Sequence, residues 1–548
     1  MSSAGFTEKP KDRPQMTTPD MDKFRLRRFV DTLDASGELE THEAPIELAD
    51  LADAIENCPQ AILFKSVGPE KHELAANVNG SRKRMALALG VDEDQVVPEF
   101  QKRMANPQPV VDVERDEAPV QTVVLEGDEA DLTKLPFYVQ HQLDGAAYLS
   151  AGIDFSVDPE TGTTNVGCRR LSLRNSKEAG TNVTAPSDLK RIYMGCAARG
   201  ENLPINFAVG AHPLDYMAAG LRIPADEVTL VGTLRGEPVP LVKGITNDVR
   251  VPADAEMVIE GYLDSEGYRE PDGPYGEYVG YYGAMHQDPV FHVTAITMRE
   301  DMLHQSLLHG AGPQIHRAES VNLLTVRLEA QAFDILKAAN IEPVDVYVPP
   351  GSAEGQHMRV SIRQRRPGQA RNAIAALFGG VFGAKHIFIF DEDVNIRDEH
   401  QWEWAMVSRF QADRDMIPFK GMPGMPMDPS LEHGPFGTKA GFDMTLPLHR
   451  RHELMLTVAT APKIEGAARY QTVSQALEGS GPLFYADIMS ALGSRDGREI
   501  AVQLDELRQD GKLMRDGDGR YLLGEASPGT TGLFGPQHED PNAHTGTT

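Results

Sequence analysis

YLSAGIDFSVDPETGTTNVGCRRLSL, residues 148–173, places two short β-type runs, YLSAGIDFSV and TNVGCRRLSL, on either side of a Gly/Pro/Asp turn. The texture repeats through TVVLEG, EVTLVGTL, EMVIEGYL and PVFHVTAITM between residues 121 and about 300. Many short strands separated by turn residues predict a sheet or barrel. LKRIYMGCAARGENLP, closed by Gly200 as a C-cap, and HPLDYMAAGLR read as helices inserted into it.

On the N-terminal side, helical patterns such as DKFRLRRFVDTLDASG alternate with apolar runs such as AILFKSV, giving a small α/β lobe over 23–120. On the C-terminal side, α/β texture returns over 318–460. VNLLTVRLEAQAFDILKAANI and RNAIAALFGG read as helices, VDVYVP and HIFIFDEDV as strands. Residues 461–525 read as helix, helix and an Asp-Gly hairpin, the order of a winged-helix module. Its helix REIAVQLDELRQD carries as many acids as bases, whereas groove-reading helices are basic, so the module reads as a packing or oligomerisation appendage. The Pro/Gly/Ser/Thr-rich ends, 1–22 and 526–548, read as disordered tails. The fold class is therefore α/β (α+β), with the barrel domain at 121–317.

At 548 residues the chain exceeds one hydrophobic core, and 41% apolar composition fills several. Acids outnumber bases 81 to 53, a formal charge of −28, which argues against nucleic acid or an anionic membrane as main partner. Cys58, Cys168 and Cys196 suit neither a disulfide framework nor a CxxC metal site. With no apolar leader or membrane span, the expectation is a soluble cytoplasmic protein.

EPDGPYGEY, residues 270–278, puts acids around a turn stiffened by proline and glycine. One reading is a turn between strands with solvated carboxylates. The other holds Asp272 and Glu277 on one wall of a pocket, where two acids beside a cation can split roles. The cation would come from Arg169 or Arg170, which point to opposite faces if their segment is extended. Asn165, Asp188 and Glu227 offer oxygen ligands suited to Mg²⁺, Mn²⁺ or K⁺, but they form no ligand pattern by spacing, which by itself favours a helix cap at Asp188 and a surface Glu227. HQSLLHGAGPQIH, with His304, His309 and His316, lacks HExxH spacing, DEDV at 391–394 reads as a turn cap, and FGGVFGAK is no phosphate loop.

Taken in order, TNVGCRRL, AVGAHPLDYMAAGLRIPADEV, LVKGITNDVRVPADAEMVIEGYL, EPDGPYGEYVGYYG, KHIFIFDEDVNI with EWAMVSRF, and FGTKAGFDMT resemble the UbiD family of prenylated-flavin decarboxylases over residues 25–450. The resemblance implies a split-barrel domain binding prenylated FMN, which forms a covalent adduct with an unsaturated or aromatic acid and accepts electrons as CO₂ leaves. It also implies a flavin prenyltransferase as cofactor supplier and a homodimer formed through 318–460. Arg170, Asp272 and Glu277 match the family's catalytic Glu-Arg-Glu set, with Asp272 one methylene shorter than the usual glutamate. Asn165, Asp188 and Glu227 match the positions that hold a divalent metal (Mn²⁺ or Mg²⁺, or K⁺) on the flavin phosphate. Asp188 stands where some members have histidine. Lys439 matches a phosphate-binding lysine, and Asn165, Val166, Gly167, Cys168, Arg169 and Arg170 with Ser187 would line the flavin. In this scheme Arg170 orients the substrate carboxylate and Glu277 delivers the proton after CO₂ departs. The turn and its flanks look most like the branch acting on pyrrole-, furan- or phenazine-carboxylates, with HQSLLHG and the loop holding Met422, Met425 and Met427 as far wall; the methionines read equally well as ordinary filler of an irregular loop. Alternatives are a relative that takes another unsaturated acid or works mainly as a carboxylase, and a ligand-sensing DNA-binding regulator.

Overall fold

The computed structural model describes residues 19–524 except 311, 354, 432 and 433. These fall into two compact units, one ending at Thr445 and one beginning at Leu446. Except for residues 19–22, the expected tails lie outside the described residues; Met21 packs on the core and its carbonyl accepts from Arg299.

The first unit is built around a closed antiparallel barrel of six strands: β1 (Tyr148–Val157), β2 (Thr164–Leu173), β3 (Glu178–Thr181), β4 (Leu203–Val209), β5 (Met257–Leu263) and β6 (Val290–Met298). Their order is β5-β4-β1-β2-β3-β6, and β6 pairs back onto β5 to close the ring. Closure leaves no open edge. Leu149, Leu171, Ile205, Phe207, Ile259 and Phe291 fill one apolar cluster with the helix Asp188–Ala198, while Ile153, Phe155, Val166 and Val258 face another. The short strand Val123–Glu126 extends the sheet along β6.

EVTLVGTL, read as a strand from its apolar run, is instead the helix Thr229–Arg235, ended by Gly236 at φ +79°. Leu230 through Arg235 are all buried, and burial on every side removes the alternation that separates a buried helix from a buried strand. The N-terminal lobe is a four-stranded sheet, Leu39–His42, Ala61–Val67, His72–Ala76 and His304–Ser306, so a strand arriving after the barrel completes it. A five-stranded sheet follows, ordered Glu342–Tyr347, His357–Arg363, His386–Asp391, Phe436–Met444 and Met416–Pro423, parallel at its centre. Helices Glu319–Ala338 and Gln369–Gly380 cover it through Leu336, Ile374 and Leu377. The acids after its central strand meet arginines: Arg409 grips Asp393 at 2.8 and 2.9 Å and Arg363 reaches Glu392 at 2.6 Å.

The second unit contains helices Val473–Ser480, Tyr485–Leu492 and Arg498–Gln509 and a hairpin, Leu513–Arg515 with Tyr521–Leu523, around Val473, Leu477, Ile488, Ile500 and Leu504. It has one helix more than the sequence reading gave. On its third helix and wing, Arg498, Arg508 and Arg520 are each paired with an aspartate, at 2.8, 2.6 and 2.7 Å. No described helix is long and apolar enough to cross a membrane.

Candidate active site

Strand β2 supplies two arginines on opposite faces. Arg169 turns toward Asp154 on β1, with its Nε 3.6 Å from Oδ1. Arg170 turns the other way, onto the turn that carries the paired acids, and donates from Nη2 to Asp272 Oδ2 at 2.9 Å. The guanidinium carbon lies 4.5 Å from the centre of the Tyr275 ring and 5.5 Å from that of Tyr148. Such ring faces stabilise a cation that has lost most of its water. Only 10% of the Arg170 side chain and 2% of that of Asp272 reach solvent, so the pair is nearly dry.

Glu277, five residues along the turn, makes no hydrogen bond to Arg170. Its Oε2 lies 3.2 Å from His309 Nε2. Burial alone would raise the Glu277 carboxyl, but the hydrogen bond and charge of His309, with the charges of Arg170 and His286, hold it below the usual glutamate range.

What fixes the turn is a residue the sequence reading passed over. Asp144 is fully buried; its Oδ1 accepts from the Gly276 amide at 3.0 Å and its Oδ2 from the amides of Gln140 and His141 at 3.1 and 2.9 Å. Gln140 in turn accepts from the Tyr275 hydroxyl at 2.7 Å. Two glycines allow the layers to touch: a β-carbon on Gly145 would lie 2.1 Å from the Gly273 carbonyl oxygen, and one on Gly310 would lie 2.8 Å from that of Gly276. His141 bridges the layers, with Nδ1 on Asp144 and Nε2 2.6 Å from the Gly310 carbonyl. Burial disfavours its charge, yet Asp144 and that carbonyl raise its pKa above the ordinary histidine value. The signal that could have drawn notice is the Asp-Gly turn in HQLDG, residues 141–145.

The oxygen ligands gather at the other end of β2. Asn165 is buried on the strand and gives its amide NH₂ to Asp154 Oδ2 at 3.1 Å. Glu227 is buried beside it and accepts from the Val166 amide at 3.0 Å. Asp188 opens the helix capped by Ser187, whose hydroxyl accepts from Lys190 N at 3.2 Å. Burial raises the Glu227 carboxyl and the Asp188 charge adds to it. Asp154, wholly buried and with no hydrogen bond to Oδ1, is pushed up to about 6, by burial first and by Glu227 in part, against the pull of Arg169. An all-oxygen set with mutually repelling carboxylates fits a hard divalent cation, which would relieve that repulsion.

Val166 is buried, and Gly167 packs so that a β-carbon would meet Asp154 Oδ1 at 2.8 Å; Cys168 faces the carbonyl of Tyr216. Lys439 stands elsewhere, on Phe436–Met444. Its Nζ donates to the Phe382 carbonyl at 2.8 Å, and none of its hydrogen bonds or ring contacts reaches β2. With Lys385, Met422 and Met425 it lines a cavity of about 480 Å³. A separate cavity of about 790 Å³ opens beside Glu277, walled by Leu48, Phe137, Val139, Tyr281 and Tyr282. His309 therefore joins the acids, whereas the methionine loop borders the other cavity.

The fold has counterparts in known proteins. Residues 30–104, 111–312 and 322–444 match the N-terminal, Rift-related and C-terminal domains of the 3-octaprenyl-4-hydroxybenzoate carboxy-lyase family, UbiD. The chain belongs to the UbiD family. Among solved structures it resembles the UbiD-class enzyme HmfF from Pelotomaculum thermopropionicum in complex with FMN, at 30% identity over 79% of this chain and 97% of that one, with a TM-score of 0.72. An evolved dimeric form of HmfF in complex with prFMN matches at 29% identity over 80% and 97%, TM-score 0.71. The apo 3,4-dihydroxybenzoic acid decarboxylase from Enterobacter cloacae matches at 25% over 81% and 98%, TM-score 0.74. As a UbiD-type carboxy-lyase, the chain has its matched segments end at residue 444, and the described unit from Leu446 lies beyond them.

Proposed function

We propose that this UbiD-family chain decarboxylates an aromatic or heteroaromatic carboxylic acid, reversibly and without net oxidation, using prenylated FMN. The observation that carries the reading is the nearly dry Arg170–Asp272 pair with Glu277 beside it on the same clamped turn. Support for the cofactor comes from HmfF, seen with FMN and with prFMN, and for the substrate class from the Enterobacter enzyme, a dihydroxybenzoic acid decarboxylase. Asn165, Asp188 and Glu227 would hold a divalent ion, Mn²⁺ or Mg²⁺, against the cofactor phosphate, with Asp154 orienting Asn165 and Val166 to Arg170 with Ser187 along the flavin. Prenylated FMN supplies the electron sink for cleavage of the bond to the carboxylate.

The chain's own residues do the rest. Arg170, fixed by Asp272 and covered by Tyr148 and Tyr275, is positioned to orient the substrate carboxylate. The Glu277 carboxyl, held below the usual glutamate range, faces His309 Nε2 at 3.2 Å, and this contact is the path by which a proton would reach Glu277 before delivery to the substrate carbon. In the carboxylating direction the same ionised Glu277 is ready to remove that proton. The apolar and aromatic wall of Leu48, Phe137, Val139, Tyr281 and Tyr282 supports a flat ring beside it.

The test is reconstitution with prenylated FMN and Mn²⁺, followed by incubation with benzoic, pyrrole-, furan- and phenazine-carboxylic acids. Release of CO₂ from at least one ring acid is expected, with deuterium from D₂O at the vacated carbon. A holoenzyme that converts only acyclic unsaturated acids would overturn the substrate class.

A further inference from the structure

The acid turn carries a second set of charges that the mechanism above leaves unused. Strand His286–Asp288 pairs antiparallel with Glu270–Asp272 and places His286 opposite Asp272. The imidazole Nε2 lies 3.0 Å from Asp288 Oδ2 and 3.6 Å from Asp272 Oδ2, and Nδ1 lies 3.0 Å from the Ala284 carbonyl oxygen.

Counting hydrogens decides the state of the ring. A carbonyl oxygen only accepts, so Nδ1 carries a hydrogen. Ionised carboxylates also only accept, so Nε2 can face both aspartates only if one more proton lies among the three groups. Asp272 receives a hydrogen bond from Arg170 at 2.9 Å and Asp288 one from the Val183 amide at 3.2 Å, and both donors favour the ionised acid. The proton belongs on the ring. Exposure then grades outward: the side chains of Asp288, Asp272 and His286 are 0%, 2% and 22% exposed. His286 is the member that touches water.

We propose that His286 is a positioning residue for Asp272: its imidazolium, shared with Asp288, keeps Asp272 in the ionised form that grips Arg170. The inference rests on the reading that Arg170 and Asp272 belong to the catalytic set. The groups facing His286 agree with it. Asp288 lies on its own strand, Asp272 on the paired strand, Glu277 across the turn where its carboxyl feels the ring's charge, and Arg170 on β2 beyond Asp272. Two cations thus stand among three carboxylates. The hydrogen bond to Asp288, first among its causes, raises the ring's pKa above the ordinary histidine value, against burial. The same three side chains bring ligand atoms within 4.8 Å of one another, close enough for a metal ion. A ring already protonated at Nε2 has no lone pair there for a metal.

The experiment compares His286→Asn, His286→Lys, Asp288→Asn and Asp272→Asn as reconstituted holoenzymes. His286→Asn is expected to keep its flavin content and melting temperature while kcat falls about tenfold, with little change in KM. Removing a cation from beside a buried acid disfavours the charged form, so the acid limb of kcat/KM should move to higher pH. Lysine at 286 restores a cation and should recover most of the rate. Asp288→Asn, which weakens the hold on the imidazolium, should shift the limb in the same direction by less. If Asp272→Asn keeps wild-type turnover, the catalytic reading itself fails. If Asp272→Asn is inactive while His286→Asn keeps the wild-type rate and pH profile, only this inference fails. Loss of one equivalent of bound metal in His286→Asn would also overturn it, in favour of an ion at this cluster.

Discussion

Asp272 and Glu277 sit five residues apart on one turn and are buried to nearly the same degree, at 4% and 7% exposure, yet they are wired in different ways. Asp272 is locked to a guanidinium that two tyrosine rings cover, and its second neighbour is a histidine shared with another acid. Glu277 touches no arginine and leans on a single, partly buried histidine. A carboxylate held by arginine cannot readily exchange its proton, because the guanidinium never gives one up. A carboxylate held by histidine can, since imidazole releases a proton near neutral pH. The first acid is thereby suited to fixing charge, the second to moving it.

That contrast is tested most severely by removing each charge in turn. Glu277→Gln should lower kcat by about 10²–10⁴-fold, the usual contribution of a positioned acid or base, while flavin binding and melting temperature stay near wild type. Asp272→Asn should do something else as well: it strands Arg170 as a buried, unpaired cation and should cost about 3–5 kcal/mol of stability by denaturant titration. If both variants lost activity with equal stability, the division of labour between the acids would be wrong.

Asp144 holds both acids at once, because it ties Gly276 to residues 140 and 141 through three amide hydrogen bonds. Asp144→Ala should therefore blur the contrast rather than select one side of it. Hydrogen bonds to a charged acceptor contribute about 1.5–3 kcal/mol each, so a loss of several kcal/mol is expected, with kcat falling alongside. Amide exchange at Gly276, read by mass spectrometry, should speed up; an unchanged rate there would mean that the turn is rigid without its anchor.

A finer cut comes from His309→Asn. In wild type the folded-state pKa of Glu277 lies below its unfolded value, so this group adds stability above about pH 4.3, the unfolded value, and that stability is lost as pH falls through the lower folded value. Taking His309 away leaves burial opposed mainly by Arg170. The variant should be less stable than wild type at neutral pH, and the gap should close in acid, where both forms carry the proton. A gap independent of pH would show that His309 acts through packing alone.

Much of this arrangement was legible in the sequence, and the parts that were not share a cause. TNVGCRRL could be read as a strand with arginines on alternate faces because alternation is a local property, and the turn chemistry of EPDGPYGEY is local too. Local signals of this kind, repeated through short runs, also gave the barrel. His309, Asp144 and His286 were opaque because each matters only through a contact with a distant segment: residue 309 on 277, 144 on 276, 286 on 272. Pairing across a turn leaves no spacing rule to find. The helix Thr229–Arg235 escaped for the opposite reason, since burial on all sides erased the period that identifies a helix. Lys439, at the position of a phosphate-binding lysine in the resemblance, donates to the Phe382 carbonyl.

The smallest expected effect concerns the methylene by which Asp272 falls short of the family's glutamate. With this shorter side chain Asp272 still reaches Arg170 at 2.9 Å. The space around it is tight. A β-carbon on Gly180 would lie 3.4 Å from Asp272 Oδ1, 3.1 Å from Arg174 Nη2 and 2.4 Å from Ser172 Oγ, so β3 already presses on this pocket with the smallest residue available. Asp272→Glu must therefore displace a neighbour rather than fill a gap, and overpacking of this kind costs about 1–3 kcal/mol. Activity should fall by less than in Asp272→Asn, because the charge on Arg170 stays compensated. A variant as stable and as fast as wild type would mean that the site has room for the longer acid, and that the shorter one is not a matched fit.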